Sequence, residues 1–264
     1  TDKVQHSDVA LDEEVEKLYQ SRYQAPYIEA RKRLWNAVGE PIGKLFELPK
    51  NGQGKIGKIK TEVLFIERCL DLLKPGGRLG IVLTEGIFNN PSLAYVRQFV
   101  EDRAKLLAVV SLPQETFVAS GASVKCSLLF LQKFTEGQAA EYAALRQTAA
   151  EEVAARHAPA LRAERERVAT AIAAAKAAKD TAAQKALKAE GAAYEKRMAE
   201  QMAAEARQLL RTRFDYPVFL YEAEKVGLSA TGEPDANELY PNPRLPQGVE
   251  LTALEQYRAF REDA

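Results

Sequence analysis

Residues 61–86 read TEVLFIERCLDLLKPGGRLGIVLTEG, and the fold turns on them. Val63, Ile66, Leu70 and Leu73 recur at three- and four-residue spacing, which gives a helix one apolar face. Lys74-Pro75-Gly76-Gly77 then ends that helix, because proline cannot continue the hydrogen-bond ladder and glycine accepts the backbone geometry beyond it. Residues 79–83 follow as a short apolar run without alternation, the pattern of a strand buried on both faces. Helix, PGGR turn and buried strand make half of a βαβ crossover, so the expected class is an open α/β sheet.

Working outward, further apolar strands are expected at residues 105–112 and 125–134, joined by a loop of small and polar residues. Asn90 followed by Pro91 predicts a helix start, with a side-chain acceptor at the cap and no donor at the first position. Leu93, Val96 and Val100 would be that helix's buried side. Upstream, helices are expected over residues 12–23, with Val15, Leu18 and Tyr19 inward, and 27–38, with Tyr27, Ala30, Leu34 and Val38 on one side. Downstream, residues 214–224 return to the core, 229–247 are turn-rich, and 251–261 form a last short helix with Leu254, Tyr257 and Phe260.

Several motif-like arrangements do not survive inspection. His6, Ser7 and Asp8 have the composition of a catalytic triad, but adjacent residues cannot converge as nucleophile, base and orienter. Gly52, Gly54 and Gly57 spell a dinucleotide fingerprint, and Gly57-Lys58 nearly a P-loop with Ile59 where the magnesium ligand belongs. Both motifs need a buried strand to aim the loop, and Glu47-Leu48-Pro49-Lys50-Asn51 is not one. What remains between residues 39 and 60 is a glycine- and lysine-rich loop.

The stretch from residue 61 onward resembles the adenine-N6 DNA methyltransferases, in particular the modification subunit of type I restriction systems. The resemblance is carried by LLKPGGRLGIVL running into Glu85-Gly86-Ile87-Phe88, by LPQETF at 112–117, by SGASVK at 120–125 leading into LLFL at 128–131, and by FDYPVF at 214–219 with EKVG at 224–227. The family usually carries proline where Thr84 stands. The resemblance implies the C-terminal part of a Rossmann-like methyltransferase sheet, about three strands with flanking helices. It implies transfer of a methyl group from S-adenosylmethionine to adenine N6 in duplex DNA, with a specificity subunit and a restriction subunit as partners. In the family a glycine-rich loop holds the cofactor and an Asn-Pro-Pro-Phe motif holds the target amine; neither occurs in these residues. Catalytic and cofactor-binding residues are therefore expected to be absent from the chain, which would be the back part of a longer enzyme and inactive alone. The strand at 79–83 would lack its family neighbour and present an unpaired edge.

The same resemblance assigns roles. Phe117 would stack on the extruded adenine, the alternative being a core residue at a strand end. Lys55, Lys58 and Lys60 would contact the DNA backbone from the rim where ligands bind in open α/β sheets, the alternative being a solvated loop. Arg31, Lys32 and Arg33 are a basic helix flank, solvated or phosphate-contacting.

Residues 138–212 change character: alanine dominates, mixed with Glu, Lys, Arg and Gln. These strong helix formers predict an alanine-rich helical hairpin, a coiled-coil-like arm inserted between the family-like pieces. His157-Ala158-Pro159 should break or kink it, and Asp180-Thr181 should form its tip, with Thr181 and Gln184 as a capping box. Its sparse large apolar residues make it a modestly stable arm, either a spacer or a dock for a specificity subunit or DNA. The expected domains are 1–60, a helical and loop segment; 61–137, the α/β core; 138–212, the arm; and 213–264, a segment returning to the core.

Composition bounds the rest. Formal net charge is zero, so bulk charge argues for no polyanion and any DNA contact must come from a local patch. Cys69 and Cys126 lie in apolar elements without metal spacing, which fits a reducing, cytoplasmic setting with no metal site. No run of 18 apolar residues implies a membrane partner. A rival from another class is a non-catalytic protein-interaction module using the arm. A small-molecule or RNA methyltransferase would share KPGGR but not the block from 112 to 130.

Overall fold

The structure is a computed structural model and describes residues 3–48 and 60–263. The chain divides into two compact units, Thr1–Lys133 with Val218–Ala264, and Phe134–Pro217.

The first unit is built on a four-stranded sheet in the order β1-β3-β2-β4. Its strands are β1 (Arg78–Thr84), β2 (Ala104–Ser111), β3 (Cys126–Lys133) and β4 (Phe219–Glu222). β3 lies antiparallel between β1 and β2, with Leu79 opposite Leu131 and Val109 opposite Leu129. β4 pairs with β2 in parallel, Ala108 opposite Phe219. The sheet therefore has four strands rather than three, because residues 219–222 join the ladder instead of merely packing on it. A separate two-stranded ladder joins β5 (Val226–Leu228) and β6 (Pro234–Asn237).

One face of the sheet packs against α3 (Thr61–Leu72), α4 (Glu85–Asn89) and α5 (Ala94–Glu101). Val63, Ile66 and Leu70 of α3 and Val96 and Val100 of α5 are buried with Leu83, Leu129 and Leu131. This is the apolar periodicity of the sequence realised as a core. Asn90 accepts from the Ser92 amide at 2.9 Å and starts a 3-10 turn at Pro91 that leads into α5.

The Lys74–Gly77 turn is fixed by close approach. Gly76 has φ +75°, and a Cβ on Gly77 would lie 2.8 Å from the Lys74 carbonyl. Gly76 donates to the Lys133 carbonyl and Lys133 donates back to Gly77, at 3.0 and 2.8 Å. The Lys133 ammonium donates to the Leu70 and Leu73 carbonyls at 2.7 and 2.9 Å. It thereby occupies acceptors that a helix end leaves open.

The expectation of a strand buried on both faces is corrected here. β1 alternates, and Val82 on the second face is 48% exposed. Gly80 sits under the Phe130 ring, which a Cβ would approach to 3.0 Å. On this second face a cavity of about 430 Å³ lies between Gly80, Phe130, Val110 and Phe219 of the sheet and Leu254 and Tyr257 of α8 (Ala253–Asp263). No strand pairs with the outer edge of β1 among the described residues.

The amino-terminal segment also differs from expectation. α1 (His6–Val9) is followed by α2 (Glu13–Asn36), which merges both anticipated helices across a kink at Gln24, φ +50° and ψ −130°. None of its residues is buried, and Val15, Leu18, Tyr19 and Leu34 are exposed rather than inward. Cys69 and Cys126 are half-buried free thiols.

The second unit is a hairpin of α6 (Glu136–Ala177) and α7 (Thr181–Arg213). α6 runs unbroken through Pro159, so that proline does not end the helix. Thr135 and Gln138 form a capping box at its start. α7 is capped by Asp180, whose carboxylate accepts from the Ala183 amide at 2.9 Å, and not by Thr181. Gly191 permits close packing, since a Cβ there would stand 3.2 Å from Val168. At the open end, Phe134, Tyr142, Phe214 and Tyr216 form an aromatic cluster with centroid separations of 5.2–5.9 Å, edge-to-face except for the tilted pair of Phe134 and Tyr142.

Candidate functional site

β1, β2 and β4 run parallel to one another, so their carboxyl ends, at Thr84, Ser111 and Glu222, lie on one rim of the sheet. β3 enters the sheet there at Cys126. In open α/β sheets this rim is where ligands bind.

At the β1 end, the Thr84 hydroxyl donates to the Glu62 carboxylate at 3.3 and 3.4 Å. Thr84 has φ −67°, the angle proline would impose, so the backbone matches the family's usual residue while the hydroxyl adds a bond proline cannot make. The Glu85 amide donates to the Lys125 carbonyl at 3.0 Å, and its carboxylate accepts from the Ser127 hydroxyl at 3.1 Å. Burial pushes the Cys126 thiol up, and the charges of Glu62 and Glu85 push it further, so it is held as a thiol.

Between β2 and β3 the chain makes a compact loop. Thr116 donates through its hydroxyl to the Pro113 carbonyl at 2.7 Å. The Phe117 carbonyl accepts from the Ser120 and Ala122 amides, each at 3.0 Å, and Gly121 closes the turn at φ +83°. Phe117 is half-buried and packs against the buried cluster of Val110, Leu112 and Ala223, on which Cys126, Leu128 and Tyr221 also pack. Cys126 is in turn the register partner of Thr84. The Phe117 loop, which leaves β2, and the Glu85–Gly86 segment, which leaves β1, thus both start from the same rim.

Lys60 stands at the N-cap of α3 with its ammonium 3.5 Å from Glu62. That places it on the rim, partly neutralised by the carboxylate that Thr84 also contacts. Lys55 and Lys58 lie outside the described residues. Lys125 faces Glu222 across the rim at 3.8 Å.

A second carboxylate framework shapes the adjoining segment. Glu238 is buried and accepts from the Glu224 amide, from the Lys225 amide at 2.6 Å and from the Tyr221 hydroxyl at 3.0 Å. Burial, and then the bond to Glu238, push the Tyr221 phenol up to about 12. Glu62 and Glu238 carry no signal in the sequence, whereas Glu85 stands in the motif that follows the central strand. A Glu directly after the central strand was the one available signal.

The described rim does not build a cofactor pocket. Gly86 lies inside α4 rather than in a loop that could cradle a nucleoside, and the large cavity is on the sheet face. The residues present do not fit S-adenosylmethionine by themselves. Among the described residues no cluster of His, Cys, Asp and Glu could hold a metal ion, and no helix is long and apolar enough to cross a membrane.

A mixed sheet with an antiparallel strand wedged between two parallel ones, helices on one face and polar residues gathered at the carboxyl rim, makes this unit an α/β domain. Residues 49–200 match the family N-6 DNA Methylase, more than half of the chain, and the protein belongs to that family. No curated protein matches. One similar solved structure is assigned as a class I S-adenosylmethionine-dependent methyltransferase from Listeria monocytogenes. It is 29% identical over 36% of this chain and 27% of that one, with a TM-score of 0.29. A second comes from work on complex assembly and conformational transition of the type I R-M system. It is 37% identical over 30% of this chain and 16% of that one, with a TM-score of 0.27. Scores at this level do not establish a shared overall fold. The chain spans well under a third of either protein.

Proposed function

We propose that this chain forms the downstream flank of the catalytic cleft in an adenine-N6 DNA methyltransferase of the type I modification-subunit kind. The methyl donor of the whole enzyme would be S-adenosylmethionine, held by a glycine-rich loop these residues do not contain. Its partners would be duplex DNA, a specificity subunit and a restriction subunit, and its setting the cytoplasm. The observation that carries the reading is the joint position of Phe117 and Glu85–Gly86 at one carboxyl rim, in a chain of the N-6 DNA methylase family.

The roles of the chain's own residues follow from the chemistry. An adenine amine is reached only after the base leaves the duplex, which costs a few kcal/mol. An aromatic ring at the rim returns roughly 1–3 kcal/mol by stacking, and Phe117 would supply it. The packed side of Phe117 keeps the ring oriented, while its exposed part is available to the base. Lys55, Lys58 and Lys60 hold the nearby phosphates.

The test is methyl transfer to a duplex oligonucleotide, read as N6-methyladenine. The 264-residue chain alone should transfer nothing. A polypeptide that joins it to the glycine-rich loop and the Asn-Pro-Pro-Phe segment should methylate adenine. Transfer by the chain alone, or transfer to cytosine by the joined enzyme, would overturn the reading.

A further inference from the structure

Charge along the α6–α7 hairpin is segregated. Over most of its length acids and bases alternate and pair across the seam. Arg165 meets Glu195 at 2.6 Å, Arg167 meets Glu190 at 2.6 Å, and Arg213 meets Glu152 at 2.5 Å. Between Val168 and Ala189 the pattern changes: the cations are Lys176, Lys179, Lys185 and Lys188, and Asp180 is the single acid. The Asp180 carboxylate is engaged by its own helix cap. All four lysines are exposed, and none has a carboxylate partner among the described residues.

Three of them share one side. Lys176, Lys185 and Lys188 each follow an inward residue, Ala175, Gln184 and Leu187. In an antiparallel pair of right-handed helices, the positions just after the seam fall on the same flank of both. The hairpin bears this out: Arg165 and Glu195, which follow Glu164 and Tyr194, are the ones that touch. That pair also sets the register, so Lys176 stands level with Gln184. At about 1.5 Å of rise per residue, the three ammonium stems span roughly 6 Å of the arm. Lys179 sits beside them at the turn, held at φ +56°.

We infer that this lysine tip docks on the phosphate backbone of duplex DNA. The inference rests on the proposed function only in taking duplex DNA as the partner. Duplex DNA carries a negative charge every ~1.7 Å of axis, so a patch of this length faces several phosphates at once. The side chains between the lysines argue against a protein partner. Ala173, Ala174, Ala177, Ala178, Ala182 and Ala186 offer no aromatic or arginine anchor, and specific protein interfaces are depleted in lysine. A smooth, small-residue surface bearing mobile point charges suits a delocalised polyanion instead.

The experiment compares the full 264-residue chain with a variant carrying Lys176→Gln, Lys179→Gln, Lys185→Gln and Lys188→Gln. Glutamine retains helix propensity, and circular dichroism checks that the hairpin persists. Binding to a fluorescent 30-base-pair duplex is followed by anisotropy from 50 to 200 mM salt. A variant with Lys74→Gln and Lys196→Gln controls for general charge loss. The tip variant should flatten the log K against log salt slope by up to about 0.9 for each lysine in contact, and weaken binding at least tenfold at 100 mM salt, while the control barely moves. An unchanged slope, no duplex binding by the wild-type chain, or tighter tip-dependent binding to polyglutamate than to the duplex would each overturn the inference. None of these outcomes decides whether the joined enzyme methylates adenine, so the two readings fail separately.

Discussion

The most informative residues are those whose polar atoms are buried but satisfied. Glu67 is 3% exposed, and its two carboxylate oxygens accept from the amides of Glu47 at 2.7 Å and Leu48 at 2.9 Å. Glu67→Ala would strand both donors, each at a cost of about 1–3 kcal/mol. The expected loss of stability, about 2–4 kcal/mol, is measurable by urea unfolding; Glu67→Gln, keeping one acceptor, should lose less. Tyr221 offers a titration. Its folded pKa, about 12, exceeds the ordinary value of 10, so its contribution is full below pH 10 and drains away as pH rises toward 12. Absorbance at 295 nm should show a late-ionising tyrosine component that shrinks in Tyr221→Phe, burial pushing the Tyr95 phenol up as well. For Phe117 the packing with Val110 and Leu112 calls for a substitution that separates its two possible jobs. Phe117→Leu roughly conserves volume and should cost under ~1.5 kcal/mol in stability, yet in the joined enzyme base extrusion and methylation should fall sharply. Equal methylation would mark the ring as core only. At this scale little was legible. Glu67 reads as an ordinary helix-surface acid, and nothing in LFIERCL announces that a loop from residues 47–48 will cap it.

Elements were far more legible, because periodicity and stop signals are local. Val63, Ile66 and Leu70 and the Lys74–Gly77 stop define α3 and its end in the structure as in the sequence. The failures were those of context. Residues 79–83 are apolar at every step because glycine and valine populate the second face of β1, and composition could not tell that this face stays uncovered at Val82. Pro159 reads as a breaker, but the long α6 tolerates it within a helix held on both sides by alanine-rich turns and cross-hairpin pairs. Thr181 reads as a cap, but Asp180 one residue earlier accepts from Ala183 and takes the role. Asp180→Ala should therefore destabilise the hairpin by about 1 kcal/mol, and Thr181→Ala hardly at all, by thermal melts of helicity. The hairpin should also be acid-sensitive. Hydrogen bonds from Arg213, Arg167 and His157 hold the Glu152, Glu164 and Glu205 carboxyls below the usual carboxylate range. With folded values depressed, their contribution is complete above pH 4.5 and is lost as pH falls through the lower folded values. Ellipticity at 222 nm should drop over that window, with a smaller drop in Glu152→Gln.

At the scale of the sheet, the outer edge of β1 and the adjoining second face combine two liabilities, unpaired backbone groups and exposed apolar side chains. The isolated chain should self-associate with concentration, as followed by light scattering. Val82→Lys, which places a charge on that edge strand, should suppress the association while shifting the melting temperature little. The position of β3 has a consequence for biosynthesis. Within this sheet, β1 and β2 have no ladder with each other; they are joined through β3, which begins at Cys126, and the other ladder of β2, to β4, is made from residues later still. When synthesis has reached Ser120, both apolar strands have been made and the strand that joins them has not. Until β3 has emerged from the ribosome the polypeptide depends on whatever shields such segments, so a pause that holds β3 inside the exit tunnel should increase its capture by holdase chaperones, and one placed after β3 has emerged should not.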